Sequence, residues 1–415
     1  MNDKSIIVID LKAFYSFVEC IDRGLDPFTT PLVVCDKERG PGSIVLSVSP
    51  YLKSIGVPSR CRQYDLPKLP NMIFAVPRMS LYLSKSAEVV SIFLDYVDEE
   101  DLHVYSIDES FLSVGPYLNL YQCKPRELAR RILDTVKEKT GLVCTAGIGP
   151  NIFLAKIALD REAKSAPDRI AEWTMEDIPT KLWTISPLSE MWGISTHLEA
   201  TLNSMGMVSV GDLAHFSKDL IVKKFGIMGE QLHNHANGLD SSDIREKAVP
   251  KDQSLSIGQT LMRDYDPKEL PLIIREMTDD LTLRLRFEKK LASVVHLFVG
   301  YSGEGLGGFA HQAKLMRPSD DVDDIYGALM HIYQKYIANH QIRHVGMSLG
   351  GLVYPEYEQL DLFIEPEAMD EKRRLQTTID EIHAKYGSNA VLRATALTKA
   401  STAIERHSRI GGHRK

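Results

Sequence analysis

Val8-Ile9-Asp10-Leu11-Lys12-Ala13-Phe14-Tyr15, together with Tyr105-Ser106-Ile107-Asp108-Glu109 further along, sets the reading of the chain. The first stretch closes the apolar run Ser5–Ile9 on a carboxylate and passes into a helical pattern through Phe14, Phe17 and Val18. A continuous aliphatic run of this length reads as a strand buried on both faces, with Asp10 at its C-terminal end. The second stretch lies in the alternating segment His103–Val114. Adjacent residues of a flat strand point to opposite faces, so Asp108 and Glu109 can serve one site only at a turn or bulge. A hairpin tip is expected there. Two-metal phosphoryl transfer needs carboxylates from different elements that bridge ions roughly 3.5–4 Å apart. Spacing alone leaves the plainer alternative open, in which Asp10 caps the following helix and Asp108-Glu109 is a solvated turn.

Outward from these motifs, Pro31–Cys35 and Ser43–Ser49 are β-like runs in a turn-rich segment punctuated by Arg39-Gly40-Pro41-Gly42, Pro50, Pro58, Pro67 and Pro70. The pattern predicts helices over Met79–Val97, Pro125–Thr140 and Asn151–Ala163, and a strand over Val143–Ile148, giving an α+β sheet domain. From Pro187 to Asp240, short helices alternate with glycine turns at Met191-Trp192-Gly193-Ile194, Met205-Gly206-Met207 and Phe225-Gly226-Ile227-Met228-Gly229. A linker at Ile244–Lys251 leads into a second mixed region, with helices at Leu270–Phe287 and Asp324–Asn339 and strands at Val294–Tyr301 and Arg343–Leu352.

With 415 residues the chain exceeds one ordinary hydrophobic core, which stops growing near roughly 250–300 residues. Its five cysteines are scattered without a C-x-x-C pair, which argues against a zinc site or a disulfide framework. The N-terminus has neither a signal-peptide nor a membrane-span pattern, so a cytoplasmic protein that contacts no membrane is expected. The net charge of −7 is unlike the basic footprint of most nucleic-acid enzymes, although residues 371–415 alone carry +6.

Both motifs resemble the two metal-binding motifs of the Y-family (translesion) DNA polymerases, and the likeness extends from Ile6 to Phe363. Within that family the chain is most similar to the UmuC-like group and to its UvrX-type Gram-positive bacterial branch, through Asn151–Lys164 and the Gly-Gly-His-Arg-Lys ending. The resemblance implies a multidomain right-hand polymerase: a palm at 1–22 and 78–168, small fingers at 23–77, a helix-hairpin-helix thumb at 169–242, a β-rich little finger at 243–353, and a clamp-binding motif with a basic C-terminal tail at 354–415. It implies that Asp10, Asp108 and Glu109, with the backbone carbonyl of Leu11, hold two Mg2+ ions. Phe14 and Tyr15 match the family's paired aromatics, Tyr15 being the steric gate against a ribose 2′-hydroxyl. Ser47, Lys53 and Lys164 match nucleotide-binding positions. Pro50 and Lys53 depart from the Tyr and Arg of many relatives, and the spacing from Lys156 to Lys164 is one residue longer than in some.

The turns at Gly193, Gly226 and Gly229 look like helix-hairpin-helix elements, which hold nucleic-acid phosphates through backbone N–H groups. Gln253–Thr260 and Lys289-Lys290 are candidate phosphate contacts. Gln359-Leu360-Asp361-Leu362-Phe363 has the Q-L-x-L-F form of bacterial clamp-binding peptides. The implied partners are primer-template DNA, a deoxynucleoside triphosphate, the replication sliding clamp and a small accessory subunit; the implied activity is error-prone synthesis across damaged template bases. A nucleotidyl cyclase could share the acids on a similar sheet, and a non-catalytic scaffold could retain the clamp and DNA contacts. Templated primer extension separates the polymerase from the cyclase, and metal-dependent extension separates it from the scaffold.

Overall fold

The computed structural model describes residues 5–246, 253–303, 305–355 and 366–415, and divides into two compact units, Met1–Ala248 and Val249–Lys415. In the first, β1 (Ile6–Leu11) leads directly into α1 (Phe14–Asp22). An insert follows with β2 (Leu32–Val34), β3 (Ser47–Val48), α2 (Pro50–Ser54) and β4 (Ile73–Ala75). Its strands form their own small sheet in the order β3-β2-β4, closed over Val33, Cys35, Val45, Val48 and Leu52. The chain returns through α3 (Met79–Leu94), β5 (Leu102–Val104), β6 (Glu109–Ser113), α4 (Leu118–Tyr121), α5 (Pro125–Thr140), β7 (Cys144–Gly149), α6 (Ile152–Ala158) and β8 (Ile170–Glu172).

These strands make one sheet in the order β5-β6-β1-β7-β8, with β1 antiparallel to both neighbours. Ile6 and Val8 belong to the core that includes α6, while Ile7 and Ile9, buried as fully, alternate to the other face. Cover on both faces is why the run is continuously aliphatic. The core on the α6 side continues without a break into α7 (Thr196–Ser204), α8 (Val210–His215), α9 (Lys218–Phe225) and α10 (Ile227–Ala236) through Leu202, Leu213, Ile221 and Leu232. Ser195 and Ser209 cap α7 and α8 by accepting from Leu198 N (3.2 Å) and Asp212 N (3.1 Å).

The second unit holds β9 (Leu255–Tyr265), α11 (Leu270–Phe287), β10 (Ala292–Tyr301), β11 (Gly308–Ser319), α12 (Val322–Tyr336) and β12 (Ile342–Gly350), its sheet ordered β11-β10-β12-β9. Val295, Leu297, Val299, Val345, Met347 and Leu349 pack with α11 and α12. The alternate residues form an open face, on which Gly258 pairs with Gly346 and Gly346 with Phe298.

Residues 366–415, within the segment expected to be a basic C-terminal tail, are folded. They contain α13 (Pro366–Tyr386), α14 (Ala403–His407) and a hairpin of β13 (Arg409–Ile410) with β14 (His413–Arg414). Two of their arginines pair with acids of α11, Arg393 with Asp279 (2.9 Å) and Arg406 with Asp280 (2.8 Å), and Thr402 N donates to the buried Glu276 of the same helix (3.0 Å). Ion pairs Arg286–Asp380 (2.7 Å) and Lys372–Asp321 (2.7 Å) tie down α13. Gln359, Leu360, Leu362 and Phe363 lie outside the described residues.

Candidate active site

Asp10 and Glu109 are direct cross-strand partners of β1 and β6. Residues directly opposite in an antiparallel pair point to the same face, with Cβ atoms about 4.5–5.5 Å apart. The expected hairpin is present: Tyr105 N and Ser106 N both donate to Glu109 O (3.0 Å each), which turns the chain so that Asp108 precedes the ladder. Asp108 O accepts from Leu11 N (2.8 Å), and its carboxylate accepts from Ser106 Oγ (2.8 Å). The sheet edge therefore carries all three acids. Among the described residues, however, no three His, Cys, Asp or Glu side chains close up as a ready-made metal cluster. The Asp108 carboxylate is held by Ser106 and that of Glu109 by Lys156, while Lys164 stands 3.8 Å from Asp10.

Burial pushes the Asp10 carboxyl up to about 6; Lys164 opposes the shift and Asp108 and Glu109 add to it. Burial also raises Glu109, against the pull of Lys156. The Lys156 ammonium lies 2.7 Å from Glu109 Oε1 and 3.0 Å from Asp160, but its well-angled hydrogen bond goes to Oε2 at 2.9 Å, leaving Oε1 with no satisfied hydrogen bond. The unsatisfied Glu109 Oε1, a hard oxygen on the residue directly across the ladder from Asp10, suits a hard divalent cation. Lys156 was not singled out by sequence. The signal available was a lone charge inside the otherwise apolar, fully buried helix Ile152-Phe153-Leu154-Ala155-Lys156-Ile157-Ala158.

Lys164 follows a π turn at Leu159–Ala163, closed by Lys164 N donating to Leu159 O (3.3 Å). The wider turn leaves Lys164 on the same side as Lys156, both cations reaching Asp160. Lys164 Nζ reaches Asp160 at 2.7 Å and Asp10 at 3.8 Å. Burial lowers its pKa, but Asp10 and Asp160 outweigh that and the net shift is upward. Glu109, Lys156, Asp160, Lys164 and Asp10 thus form one alternating chain of charges. Lys53, on α2, senses the same acids: burial lowers its ammonium while Asp10 raises it.

Between Asp10 and Tyr15 the backbone turns on Ala13, which sits in the left-handed region at φ 49°. Its carbonyl accepts from Ser16 Oγ (2.9 Å) and Ser47 Oγ (3.3 Å), and Ser47 also donates to Ser16 (2.9 Å). Ser47 accordingly pins the insert to α1. Phe14 is buried; Tyr15 is half-buried and stacks on Tyr82 with centroids 4.6 Å apart. Burial and the Asp108 charge raise the Tyr15 phenol.

The glycines separate by reason. Gly193 and Gly226 have φ of 93° and 64° and open space around them. Gly229 is required by packing, since a Cβ there would stand 2.6 Å from Ile221 O. Trp192, beside Gly193, meets Phe111 and Tyr105 edge-on at 6.4 and 6.1 Å, joining this turn to the hairpin that carries Asp108. No helix among the described residues is long and apolar enough to cross a membrane.

The impB/mucB/samB family matches residues 9–160 and its C-terminal domain matches residues 252–362. The chain is 38% identical to the "Putative UV-damage repair protein UvrX" of Bacillus subtilis (strain 168), over 99% of this chain and 98% of that one. It is 31% identical to "DNA polymerase IV 2" of the same organism over 100% of both, and 30% identical to "DNA polymerase IV" of Pelotomaculum thermopropionicum over 97% of both. Among solved structures, the "Y-family DNA polymerase chimera Dbh-Dpo4(243-245)-Dbh" superposes with a TM-score of 0.68 at 21% identity, covering 85% of this chain and 100% of the chimera, a likeness of fold. With two family domains matching more than half of the chain and full-length relatives above 30% identity, the chain belongs to the impB/mucB/samB family, the Y-family DNA polymerases.

Proposed function

We propose that this Y-family DNA polymerase extends a primer 3′-hydroxyl by two-metal phosphoryl transfer and synthesises across damaged template bases. The observation that carries the reading is the pairing of Asp10 with Glu109 across β1 and β6, with Asp108 at the adjoining hairpin. Asp10, Asp108, Glu109 and the Leu11 carbonyl would hold the ions. Bound magnesium would supply Lewis-acid stabilisation of the attacking and leaving oxygens. Lys164 and Lys53 supply positive charge for the triphosphate, Lys53 as a point charge without the bidentate fork of an arginine. Tyr15 closes the floor against a 2′-hydroxyl.

In this reading the five-stranded sheet is the palm, the small insert the fingers, α7–α10 the thumb and the second unit's sheet the little finger. The insert's small sheet leaves the nascent pair loosely enclosed, which favours tolerance of lesions over fidelity. The turns at Gly193 and Gly226 offer backbone N–H groups to phosphates, so binding does not need a basic surface. Gln359-Leu360-Asp361-Leu362-Phe363 docks on the sliding clamp, and tethering raises the polymerase concentration at the primer end. The test is primer extension by Asp108→Asn: nucleotide addition should be abolished with melting temperature and DNA binding retained. Activity above a tenth of the parent would remove Asp108 from the site; loss of folding would make its role structural.

A further inference from the structure

Tyr15, Glu19 and Arg23 follow one another at four-residue intervals on and just beyond α1, so they share one face. Arg78 and Tyr82 repeat the interval at the start of α3. The two rows interleave. The Tyr82 ring, with no exposed surface, lies beneath Tyr15 at 4.6 Å and 25°, and meets Phe14 edge-on at 6.4 Å. The Tyr82 hydroxyl donates to Glu19 Oε1 at 2.7 Å. Glu19 is likewise wholly buried, a carboxylate that persists only because its oxygens are filled. Arg78 donates to it twice, from Nε (3.0 Å) and Nη2 (2.8 Å), and Arg23 adds a third cationic contact. Planar two-point pairing of this kind fixes geometry as well as charge.

None of these groups belongs to the carboxylate site, and a buried ion network costs desolvation that an apolar cluster of the same volume would not. Its visible product is the position of one ring, the platform on which Tyr15 rests. We infer that Glu19, Arg78 and Tyr82 are positioning residues for sugar selection: they hold Tyr15 at the height where a ribose 2′-hydroxyl collides with it and a deoxyribose does not. Discrimination by collision works only while the excluding wall cannot yield. Without the platform, Tyr15 can sink by a ring thickness and the collision is relieved. The inference rests on Tyr15 being the gate.

The test is the ratio of kcat/KM for a deoxyribonucleoside triphosphate to that for the matching ribonucleoside triphosphate, measured in the full chain with Mg2+. A general loss of folded enzyme lowers both terms alike and leaves the ratio unmoved. Tyr82→Leu, which removes the platform, should lower the ratio about tenfold or more. Tyr82→Phe keeps the ring and loses only the anchor to Glu19, and should lower it by roughly threefold. Glu19→Gln should behave like Tyr82→Phe; if Glu19→Gln fails to fold, the two Tyr82 variants decide. A ratio that collapses in Tyr15→Ala but stays at the parental value in Tyr82→Leu overturns the inference while sparing the gate. An unchanged ratio in Tyr15→Ala removes the gate, and the inference with it.

Discussion

Replacing Lys156 with Met keeps the length and most of the volume of a buried side chain and removes its charge. Lys156 and Glu109 expose only 8% and 9% of their side chains, so the orphaned carboxylate cannot turn to solvent. Breaking a buried pair in this way typically costs about 3–5 kcal/mol. Protonation sets a ceiling. The ordinary value for Glu109 is 4.5, and neutralising it at pH 7 costs about 3.4 kcal/mol, at 1.36 kcal/mol per unit. At pH 5 the same step costs only about 0.7 kcal/mol. In the variant the folded-state pKa of Glu109 lies far above its unfolded value, so stability is retained at low pH and lost as pH rises. Urea unfolding followed by tryptophan fluorescence reads this directly, because Trp173, Trp183 and Trp192 all lie in the first unit. The destabilisation should be near 3 kcal/mol at pH 7, below about 1 kcal/mol at pH 5, and largely relieved by adding Glu109→Gln. A loss of equal size at both pH values would assign the effect to packing and refute the electrostatic account.

Deleting Arg161 should turn the π turn at Leu159–Ala163 into ordinary helix with Lys164 still on the Lys156 face, since seven α-helical residues at about 100° each complete nearly two turns; KM for the incoming nucleotide should stay within about threefold of the parent, and a tenfold rise would show that the wider turn itself places Lys164. Burial raises the Asp240 carboxyl, but His235 at 3.7 Å and the N–H of Ser242, donating at 3.0 Å, outweigh it and hold it down to about 2, which contributes roughly 2–3 kcal/mol above its unfolded value of 3.8; this is lost as pH falls toward 2. Asp240→Asn should flatten that part of the acid-unfolding curve. Gly229→Ala places a methyl 2.6 Å from Ile221 O and should cost about 1–3 kcal/mol in thermal or urea unfolding.

The elements that carry the site were legible because each has a single reading. Ile6–Leu11 is aliphatic enough to be nothing but a buried strand, and Pro125–Thr140 and Leu270–Phe287 open with proline and keep helical spacing to their ends. The hairpin at Asp108-Glu109 followed from the geometry of alternation. β11 was missed because it is an edge strand whose outward residues, such as Gln312, Lys314 and Met316, mix polar and apolar types, so alternation is weak. The folded C-terminus was missed for a different cause: its order comes from ion pairs to α11 more than 100 positions earlier in the chain, which no local pattern carries. Lys156 escaped because a lysine in a helix is read as solvated unless its burial is known. The π turn, finally, puts the extra residue inside a helix, where 3.6-residue periodicity is the assumption that fails.

The docking of the C-terminus has a mechanical consequence. The span that includes Leu362 and Phe363 is fixed on one side by Val353, bridged to Leu291, and on the other by Lys372, paired with Asp321. Residues 354–371 lie between those two anchors. A clamp gripping this peptide would hold the second unit by two covalent connections where a free tail offers one. Tension would divide between the strand bridge and the ion pairs, so the unit would resist swivelling, and cutting the chain beyond the peptide would release that torque resistance while leaving the attachment itself in place.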